Sequence, residues 1–291
     1  MLCFPKLGDY GYLGNAMFQY AALVGIADKH GFTPKYDFEK VGTMATLHNV
    51  FNLTKVEHMN ITEQIHSIRG IWKEPNFHFC PEAFPLEDGS EQEENINRLK
   101  DDRGLFGYFQ SEKYFKHIES DIRSEFKFSD EVEEECSSKM EKVREMTDGN
   151  TLLSVHVRLG DYKMLEHVFH PLIKTTYYQD ALNALGVNGE QIIGEKKDTT
   201  LVVFSNEVEL CKQFFPAPGC VFVEGGTPEQ DMCFMSKCDN HIIANSSFSW
   251  WGAWLNESKD KKVIAPKNWF IANEKEPRDP KDLYCEDWIL V

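Results

Sequence analysis

The second half of the sequence alternates short apolar runs with segments of helical periodicity, and this alternation restricts the folds open to the chain. The most apolar run lies in residues 151–162, TLLSVHVRLGDY, which closes on a cluster of polar residues. Strands that alternate with helices pair in parallel and are joined by right-handed crossovers. The pattern predicts a Rossmann-like α/β domain over residues 151–291, preceded by an N-terminal domain over residues 1–150.

Periodicity and turn residues also place the other elements. In the second half, strands are expected at 200–206, 220–225, 241–245 and 262–266, and helices at 176–185, 207–215, 228–237 and from near Ser249. In the first half, the expected elements are strands at 33–38 and 104–111, a helical turn at 47–53, an acidic connection at 82–102, and helices at 112–128 and 130–146. A first helix follows the glycines of residues 8–14, with Asn15 as its N-cap or beside it.

Several predicted strands of the second half end in polar residues. These are Arg158 with Asp161, Ser205 with Asn206, and Asn245 with Ser246 and Ser247. Parallel strands place their carboxyl ends on one edge of the sheet, which is the edge where ligands bind. We therefore expect these groups, distant in sequence, to converge.

Charge and composition exclude several classes of function. The formal net charge is −16, which opposes binding to nucleic acid. Cys233 and Cys238 lack the further ligands of a zinc set, and no Walker motif follows the N-terminal glycines, so no metal or other cofactor is expected. The N-terminal apolar run is too short for a signal peptide, and no segment approaches the roughly 20 apolar residues of a membrane span. A cytoplasmic location is expected.

Arg158 and the serines near residue 246 point to a phosphate ligand. A guanidinium is a planar, permanently charged fork that suits phosphate. Ser246, Ser247 and Ser249 stand at the start of a helix, where hydroxyls and free N–H groups attract the same charge. Simple helix capping explains the serines equally, and core packing explains the tryptophans of that helix.

Two other residues have open interpretations. Asp231 lies among apolar residues of a predicted helix and is either an acceptor for a ribose or guanine edge or a capping or surface carboxylate. His156 faces the same side of its strand as Arg158, opposite Val155 and Val157. It is either part of the site or a core histidine.

Six stretches, taken in order, resemble glycosyltransferase family 11, the GDP-fucose-dependent α-1,2-fucosyltransferases. They are LGNAMFQYA (13–21), GYFQSEKYF (107–115), HVRLGDY (156–162), VFSNE (203–207), HIIANSSFSWWGAWLN (241–256) and VIAPKNWF (263–270). The resemblance implies a GT-B fold of two Rossmann-like domains facing a cleft, with the acceptor side first and GDP-fucose bound by the second. It also implies an inverting, metal-independent transfer of fucose to the 2-hydroxyl of a galactose in a glycan acceptor.

By the same resemblance, Arg158 is the arginine of the HxRxGD motif that binds the β-phosphate. Gly14 and Asn15 take the place of the amino-domain loop that closes over the site, and Ser246, Ser247 and Ser249 that of the phosphate-binding serines. Together with the residues singled out above, the expected catalytic residues are His156, Arg158 and Asp161, and the expected GDP-fucose contacts are Gly14, Asn15, Arg158, Ser205, Asn206, Asp231, Asn245, Ser246, Ser247, Phe248 and Ser249. The chain departs from the family pattern at Leu159, where a second arginine is usual, and at Ala16, where a glutamine is usual. A neighbour of Arg158 on a strand points to the opposite face, so Leu159 does not remove the phosphate contact.

The expected mechanism is a single displacement through an oxocarbenium-like transition state with GDP as the leaving group. Asp161 is a candidate general base, and the alternatives are that it holds Arg158 or braces its loop. Three alternatives remain at the level of function. They are a fucosyltransferase with another acceptor or linkage, a transferase of another sugar, and a nucleotide-sugar or glycan-binding protein without turnover.

Overall fold

The computed structural model describes residues 1–37, 47–85, 98–193, 197–215, 217–273 and 278–291, and the chain divides into two compact units. The first unit contains Met1–Lys127 and Arg278–Tyr284, and the second contains Phe128–Pro277 and Cys285–Val291. The expected boundary at residue 150 thus falls inside the second unit. The reason is that the helix before it, Asp130–Met146, packs on the later helix Pro228–Ser236.

The first unit is a parallel sheet with one long helix. Its strands are β1 (Leu2–Cys3), β2 (Pro34–Tyr36), β3 (Glu57–His58), β4 (Ile71–Lys73) and β5 (Arg103–Phe106), in the order β3-β2-β1-β5-β4. Every adjacent pair is parallel. Its helices are α1 (Leu13–His30), α2 (Ile61–Gln64) and α3 (Glu119–Glu125). Helix α1 is buried along most of its length and supplies much of the core of this unit.

The second unit is a six-stranded parallel sheet within the described residues. Its strands are β6 (Thr151–Val157), β7 (Thr199–Ser205), β8 (Cys220–Phe222), β9 (Asn240–Ile242), β10 (Val263–Ala265) and β11 (Ile289–Leu290), in the order β11-β10-β9-β6-β7-β8. Its helices are α4 (Asp130–Met146), α5 (Tyr177–Ala184), α6 (Gly189–Ile193), α7 (Val208–Cys211), α8 (Pro228–Ser236) and α9 (Ser247–Leu255). The predicted parallel α/β class is confirmed in both units.

Strand β6 lies at the centre of the second sheet and separates two kinds of surface. Val155, Val157 and Leu159 join one apolar cluster with Tyr177 and other residues of α5. His156 lies on the opposite face, as predicted, where its ring centroid is 5.5 Å from that of Phe248. Because Leu159 is buried in the apolar cluster, this position serves the core of the second unit.

Several local predictions were wrong in detail. The expected helix at 112–128 is broken into two 3-10 turns, Glu112–Tyr114 and Lys116–Ile118, followed by α3, because Phe115 leaves the helical backbone region with φ −137°. Helix α7 is shorter than expected, and the short helix α6 was not expected. Parts of the predicted strand at 33–38 and of the acidic connection at 82–102 lie outside the described residues.

The tryptophans of α9 are core residues. Trp250, Trp251 and Trp254 are all buried, and the rings of Trp250 and Trp251 meet edge to face with centroids 4.9 Å apart. Seven of the eight cysteines are also buried. In the described part of the chain, no helix is both long enough and apolar enough to cross a bilayer.

Candidate active site

The carboxyl ends of β9, β6 and β7 bring together most of the polar residues singled out in the second half of the sequence. Val157 pairs with Ser205 on one side of β6, and Val155 pairs with Ile242 on the other. The residues that follow these strands therefore leave the sheet at neighbouring points, which confirms the expected convergence. This carboxyl edge is the one that parallel sheets use for ligands.

Arg158 is held in place by two side chains of its own loop. Its Nη2 lies 2.9 Å from Asp161, which sits in the 3-10 turn Gly160–Lys163. Its guanidinium lies over the ring of Tyr162, 5.3 Å from the centroid. The Tyr162 ring stacks in turn on Phe169, with centroids 4.3 Å apart. The guanidinium is therefore held in place by contacts within the protein, and the Tyr162 ring packs against it.

Asn206 joins the ends of β6 and β7. Its Oδ1 accepts the N–H of Leu159 at 2.9 Å, and its Nδ2 donates to the carbonyl oxygen of Leu159 at 3.3 Å. Gly160, which follows Leu159, has φ +58°, and a Cβ there would lie 2.4 Å from the Asn206 Nδ2. The glycine of the HVRLGDY stretch is thus required by both conformation and space. Ser205 accepts the N–H of Glu207 at 3.0 Å and so shapes the same loop.

His156 is a neutral, buried imidazole beside the arginine. Burial and the nearby positive charge of Arg158 together lower the pKa of His156 to about 3. Its Nδ1 is buried and has no hydrogen-bond partner among the described residues. A buried polar atom without a partner costs free energy, which is recovered when a ligand supplies one.

The residues around the start of α9 divide into two groups. Asn245 and Ser249 serve the protein's own backbone: the Asn245 Nδ2 donates to the carbonyl oxygens of His170 and Trp269 at 3.0 Å each, and the Ser249 hydroxyl donates to the Ser246 carbonyl at 3.2 Å. Ser246 is the N-cap residue, and its side chain makes no capping hydrogen bond. Ser246 and the first-turn N–H groups are consequently the part of this segment best suited to an anion, and Ser247 is the first residue of the helix beside them.

Asp231 lies on α8, whose N-terminus follows β8 at the same carboxyl edge. Burial raises the pKa of Asp231 to about 6, while the charge of Lys139 opposes the rise. Its Oδ1 is buried and has no partner in the described part of the chain. A Cβ on Gly226 would lie 2.4 Å from this oxygen, so the preceding glycine leaves space for it. The carboxylate has an open acceptor atom, as a ribose or guanine contact requires.

Gly14 and Asn15 belong to the first unit. Helix α1 begins at Leu13 with Tyr12 as its N-cap, so Asn15 lies inside the first turn and the expected capping role is wrong. Its Oδ1 accepts from the Gln110 Nε2 at 2.9 Å, and its Nδ2 donates to the Tyr10 carbonyl at 3.3 Å. Asn15 therefore ties the glycine loop to the turn after β5.

Sequence reasoning missed two residues that shape these regions. Tyr162 supports Arg158 and donates to the carbonyl oxygen of Asn245 at 3.0 Å. Its place four residues after the arginine in HVRLGDY is a signal that could have found it. Glu74 follows a three-residue strand that showed no periodicity, so nothing in the sequence marked it. Among the described residues, no group of three or more His, Cys, Asp or Glu side chains is arranged to hold a metal ion.

Comparison with known proteins gives a consistent result. The model of glycosyl transferase family 11 matches residues 7–291. An alpha-1,2-colitosyltransferase of Escherichia coli is 30% identical over 97% of this chain and 96% of the relative. The O-antigen biosynthesis glycosyltransferase WbnK of Escherichia coli is 33% identical over 66% of this chain and 62% of its own. A galactoside alpha-(1,2)-fucosyltransferase 1 of Leontocebus fuscicollis is 26% identical over 84% of this chain and 63% of its own.

Solved structures with some likeness include fucosyltransferase NodZ from Bradyrhizobium and POFUT1 in complex with GDP-fucose. The first is 12% identical with a TM-score of 0.47, covering 86% of this chain and 91% of its own. The second is 13% identical with a TM-score of 0.49, covering 90% of this chain and 96% of its own.

Proposed function

The chain belongs to glycosyltransferase family 11, and from that membership we propose that it transfers L-fucose from GDP-fucose to the 2-hydroxyl of a galactose in a glycan. The observation that carries the proposal is the family match over residues 7–291, which includes the whole carboxyl edge of the second sheet. In this proposal the second unit binds the donor and the first unit binds the acceptor.

The geometry of Arg158 supports the donor half of the proposal. Negative charge grows on the β-phosphate as the bond to fucose breaks, so a cation fixed at that position stabilises the transition state more than the ground state. The guanidinium is already held by Asp161 and Tyr162. It therefore loses little side-chain entropy on binding, and the N-terminus of α9 adds a partial positive charge of the same sign.

The proposed reaction is a single displacement that inverts the anomeric carbon. GDP leaves from one face while the acceptor hydroxyl attacks the other, and the hydroxyl proton passes to a base or to water. Because Asp161 contacts Arg158 at 2.9 Å, we assign it to holding the arginine. With a guanidinium and a helix N-terminus to neutralise the leaving group, the proposed mechanism has no step that needs a metal ion.

A second donor is favoured by one specific observation. The relative aligned over 97% of this chain is an alpha-1,2-colitosyltransferase. Colitose differs from fucose by the absence of the 3-hydroxyl. A site that hydrogen-bonds this hydroxyl rejects the deoxy sugar strongly, whereas a site that leaves it in water accepts both. The choice between the two donors therefore depends on a single hydroxyl contact.

The test is incubation of the protein with GDP-fucose or GDP-colitose, galactose-terminated acceptors and EDTA, with the product linkage determined by NMR. We expect transfer to the galactose 2-hydroxyl with inversion and no loss in EDTA. Thermal shift with GDP, GDP-fucose and UDP tests the nucleotide independently, with stabilisation expected for the guanosine compounds. Stabilisation by UDP alone, or GDP-fucose binding without transfer to any acceptor, would contradict the proposal.

A further inference from the structure

The first unit contains a carboxylate that the proposed mechanism does not use. Glu74 follows β4 directly, and its N–H donates to the carbonyl oxygen of Phe106 at 2.9 Å, which extends the ladder between β4 and β5. This places the side chain at the carboxyl edge of the first sheet. There it meets the turn formed by residues 107–110, which follows β5.

The turn is built around the Glu74 carboxylate. Its Oε2 accepts the N–H groups of Tyr108 at 2.8 Å and Phe109 at 3.0 Å, and its Oε1 lies 3.4 Å from the Tyr114 hydroxyl, which donates to it. A Cβ on Gly107 would lie 2.5 Å from both the Cβ and the Oε2 of Glu74. The glycine is therefore needed for the turn to close over the carboxylate.

Phe109 shows that this turn is held against a backbone preference. Its φ is +54°, a left-handed conformation that costs free energy for a bulky residue. Two forces offset the cost: the charged hydrogen bond to Glu74, and the burial of the ring against Phe4 and Tyr114, with centroids 5.7 and 5.3 Å away. Burial raises the pKa of Glu74 to about 7, and the N–H groups of Phe109 and Tyr108 oppose the rise. The N–H groups of the turn thus favour the charged carboxylate, which burial disfavours.

The 107–110 turn also holds other groups at the carboxyl edge of the first sheet. Gln110 donates to Asn15 at 2.9 Å, and the Gln19 Nε2 donates to the Gly107 carbonyl at 2.9 Å. The Gln19 Oε1 accepts from Gly8 at 2.9 Å, so the N-terminal loop is tied to the same turn.

Three tyrosines are exposed on these two segments, with exposed fractions of 40%, 54% and 39% for Tyr10, Tyr12 and Tyr108. Exposed aromatic faces bind sugars, because their rings pack on the C–H faces of sugar rings. Gln110 is itself buried and bonds Asn15, whose Nδ2 donates to the Tyr10 carbonyl, so it orients the loop that carries these tyrosines.

We propose that Glu74 is a positioning residue for the glycan acceptor, which sets the conformation of the 107–110 turn and through it the placement of Tyr108 and Gln110. The inference rests on the proposed function for the identity of the sugar, a galactoside. It adds to that function a residue that touches neither donor nor acceptor but decides how well the acceptor binds.

The test compares Glu74→Gln and Tyr108→Ala with the matched control Glu57→Gln. Glu57 is an exposed residue of β3 in the same unit, 2.8 Å from Lys35. In Glu74→Gln an NH2 group replaces one carboxylate oxygen. One hydrogen-bond acceptor for the N–H and O–H donors around it is therefore lost. Acceptor binding is measured by saturation-transfer NMR with a galactoside series in the presence of GDP, and GDP affinity is measured by calorimetry.

We expect Glu74→Gln and Tyr108→Ala each to weaken galactoside binding by about tenfold, and to raise the acceptor KM equally, while GDP affinity stays unchanged. Glu57→Gln is expected to match the wild type. Because binding is read directly, wild-type binding without turnover would contradict the proposed function and leave this inference standing. Unchanged galactoside affinity in Tyr108→Ala or in folded Glu74→Gln would overturn it, as would absence of galactoside binding by the wild type.

Discussion

The second sheet carries an arginine–aspartate pair at each of its two edges, and the pairs differ in their surroundings. At the carboxyl edge, Arg158 and Asp161 lie 2.9 Å apart. At the amino edge, where β6 and β9 begin, Arg144 and Asp239 lie the same 2.9 Å apart. The ion-pair geometry alone therefore does not distinguish a ligand site from a structural contact.

The neighbouring groups do distinguish them. Asp239 also accepts the N–H of Leu152 at 2.7 Å, and its own N–H donates back to the Leu152 carbonyl at 2.8 Å, so the amino-edge pair fastens α4 and β9 to β6. At the carboxyl edge, the buried Nδ1 of His156 has no partner in the described chain, and a helix N-terminus follows the next strand. The carboxyl edge therefore retains a hydrogen-bonding atom that a ligand can use. At the amino edge, the aspartate of the pair bonds the protein's own backbone.

The largest expected difference is that between the two variants that each remove one arginine. Arg158→Ala is expected to lower kcat by about a thousandfold, because charge on the leaving phosphate loses its fixed partner. Arg144→Ala is expected to keep kcat within about twofold and to lower the free energy of unfolding by about 1 kcal/mol. Steady-state kinetics and urea denaturation of both variants measure the contrast. Equal losses of kcat in the two would break the comparison.

Replacing each aspartate with asparagine is expected to have a smaller effect, and the pH–rate profile then distinguishes a general base from a residue that holds Arg158. Asp161→Asn is expected to lower kcat by about tenfold with an unchanged shape of the pH–rate profile, because the residue holds Arg158 and does not take the proton. Asp239→Asn is expected to leave kcat unchanged and to reduce stability by about 1–2 kcal/mol through its bond to Leu152. Loss of the acid limb of the profile in Asp161→Asn would instead identify Asp161 as the general base.

Much of the carboxyl edge could be predicted from the sequence for a physical reason. Alternating strands and helices dictate parallel pairing, and parallel pairing brings strand ends to one edge whatever their separation along the chain. Arg158 and Asn206 needed only this rule, and the opposite orientations of His156 and Leu159 needed only the period of a strand. The family resemblance added the chemistry that the strand pattern does not supply.

The features that were missed depend on tertiary contacts. Strands β3 and β11 have two residues each, too few to show alternation, and their pairing partners are set by the rest of the sheet. The sequence left Asp161 between a base and a brace, and its 2.9 Å contact with Arg158 is a distance that proximity in sequence does not give. Glu74 and Phe109 form a mutual arrangement across two strands, and a left-handed phenylalanine has no sequence signature of its own.

Two buried histidines on neighbouring strands extend the comparison into the sheet. Burial lowers the pKa of both His156 and His241 to about 3. The nitrogens of His241 are both occupied, by the Ser154 Oγ at 3.1 Å and the Asn256 Nδ2 at 2.9 Å. His156 has an open Nδ1. The two are therefore alike in charge state and opposite in hydrogen bonding.

Replacing each histidine with phenylalanine should separate these roles. His241→Phe leaves Ser154 without its buried partner, so we expect a loss of about 2–3 kcal/mol in unfolding free energy. His156→Phe keeps the aromatic contact with Phe248 and removes an unpartnered polar atom, so stability is expected to stay within about 1 kcal/mol while kcat/KM falls several-fold. Denaturation and kinetics of the two variants measure both quantities. Destabilisation by His156→Phe equal to that of His241→Phe would show that His156 serves the core.

The smallest expected effect concerns Asp231, a carboxylate at the carboxyl edge with no arginine pair among the described residues. Burial raises the pKa of Asp231 to about 6, above the value of about 3.9 in an unfolded chain. The folded state therefore binds the proton more tightly, so the stability contributed by this group is complete below about pH 4 and is lost as pH rises through 6. Asp231→Asn removes the titration, and we expect the variant to gain in melting temperature over the wild type at pH 8 but not at pH 4.

Asp260→Asn, an exposed carboxylate of the same unit, is the matched control and should follow the wild-type curve. Saturating GDP should reduce the difference between Asp231→Asn and the wild type at pH 8, because a ribose or guanine donor at Oδ1 stabilises the charged carboxylate. A difference that GDP leaves unchanged would place Asp231 outside the donor site and confine the ligand-binding edge to β9, β6 and β7.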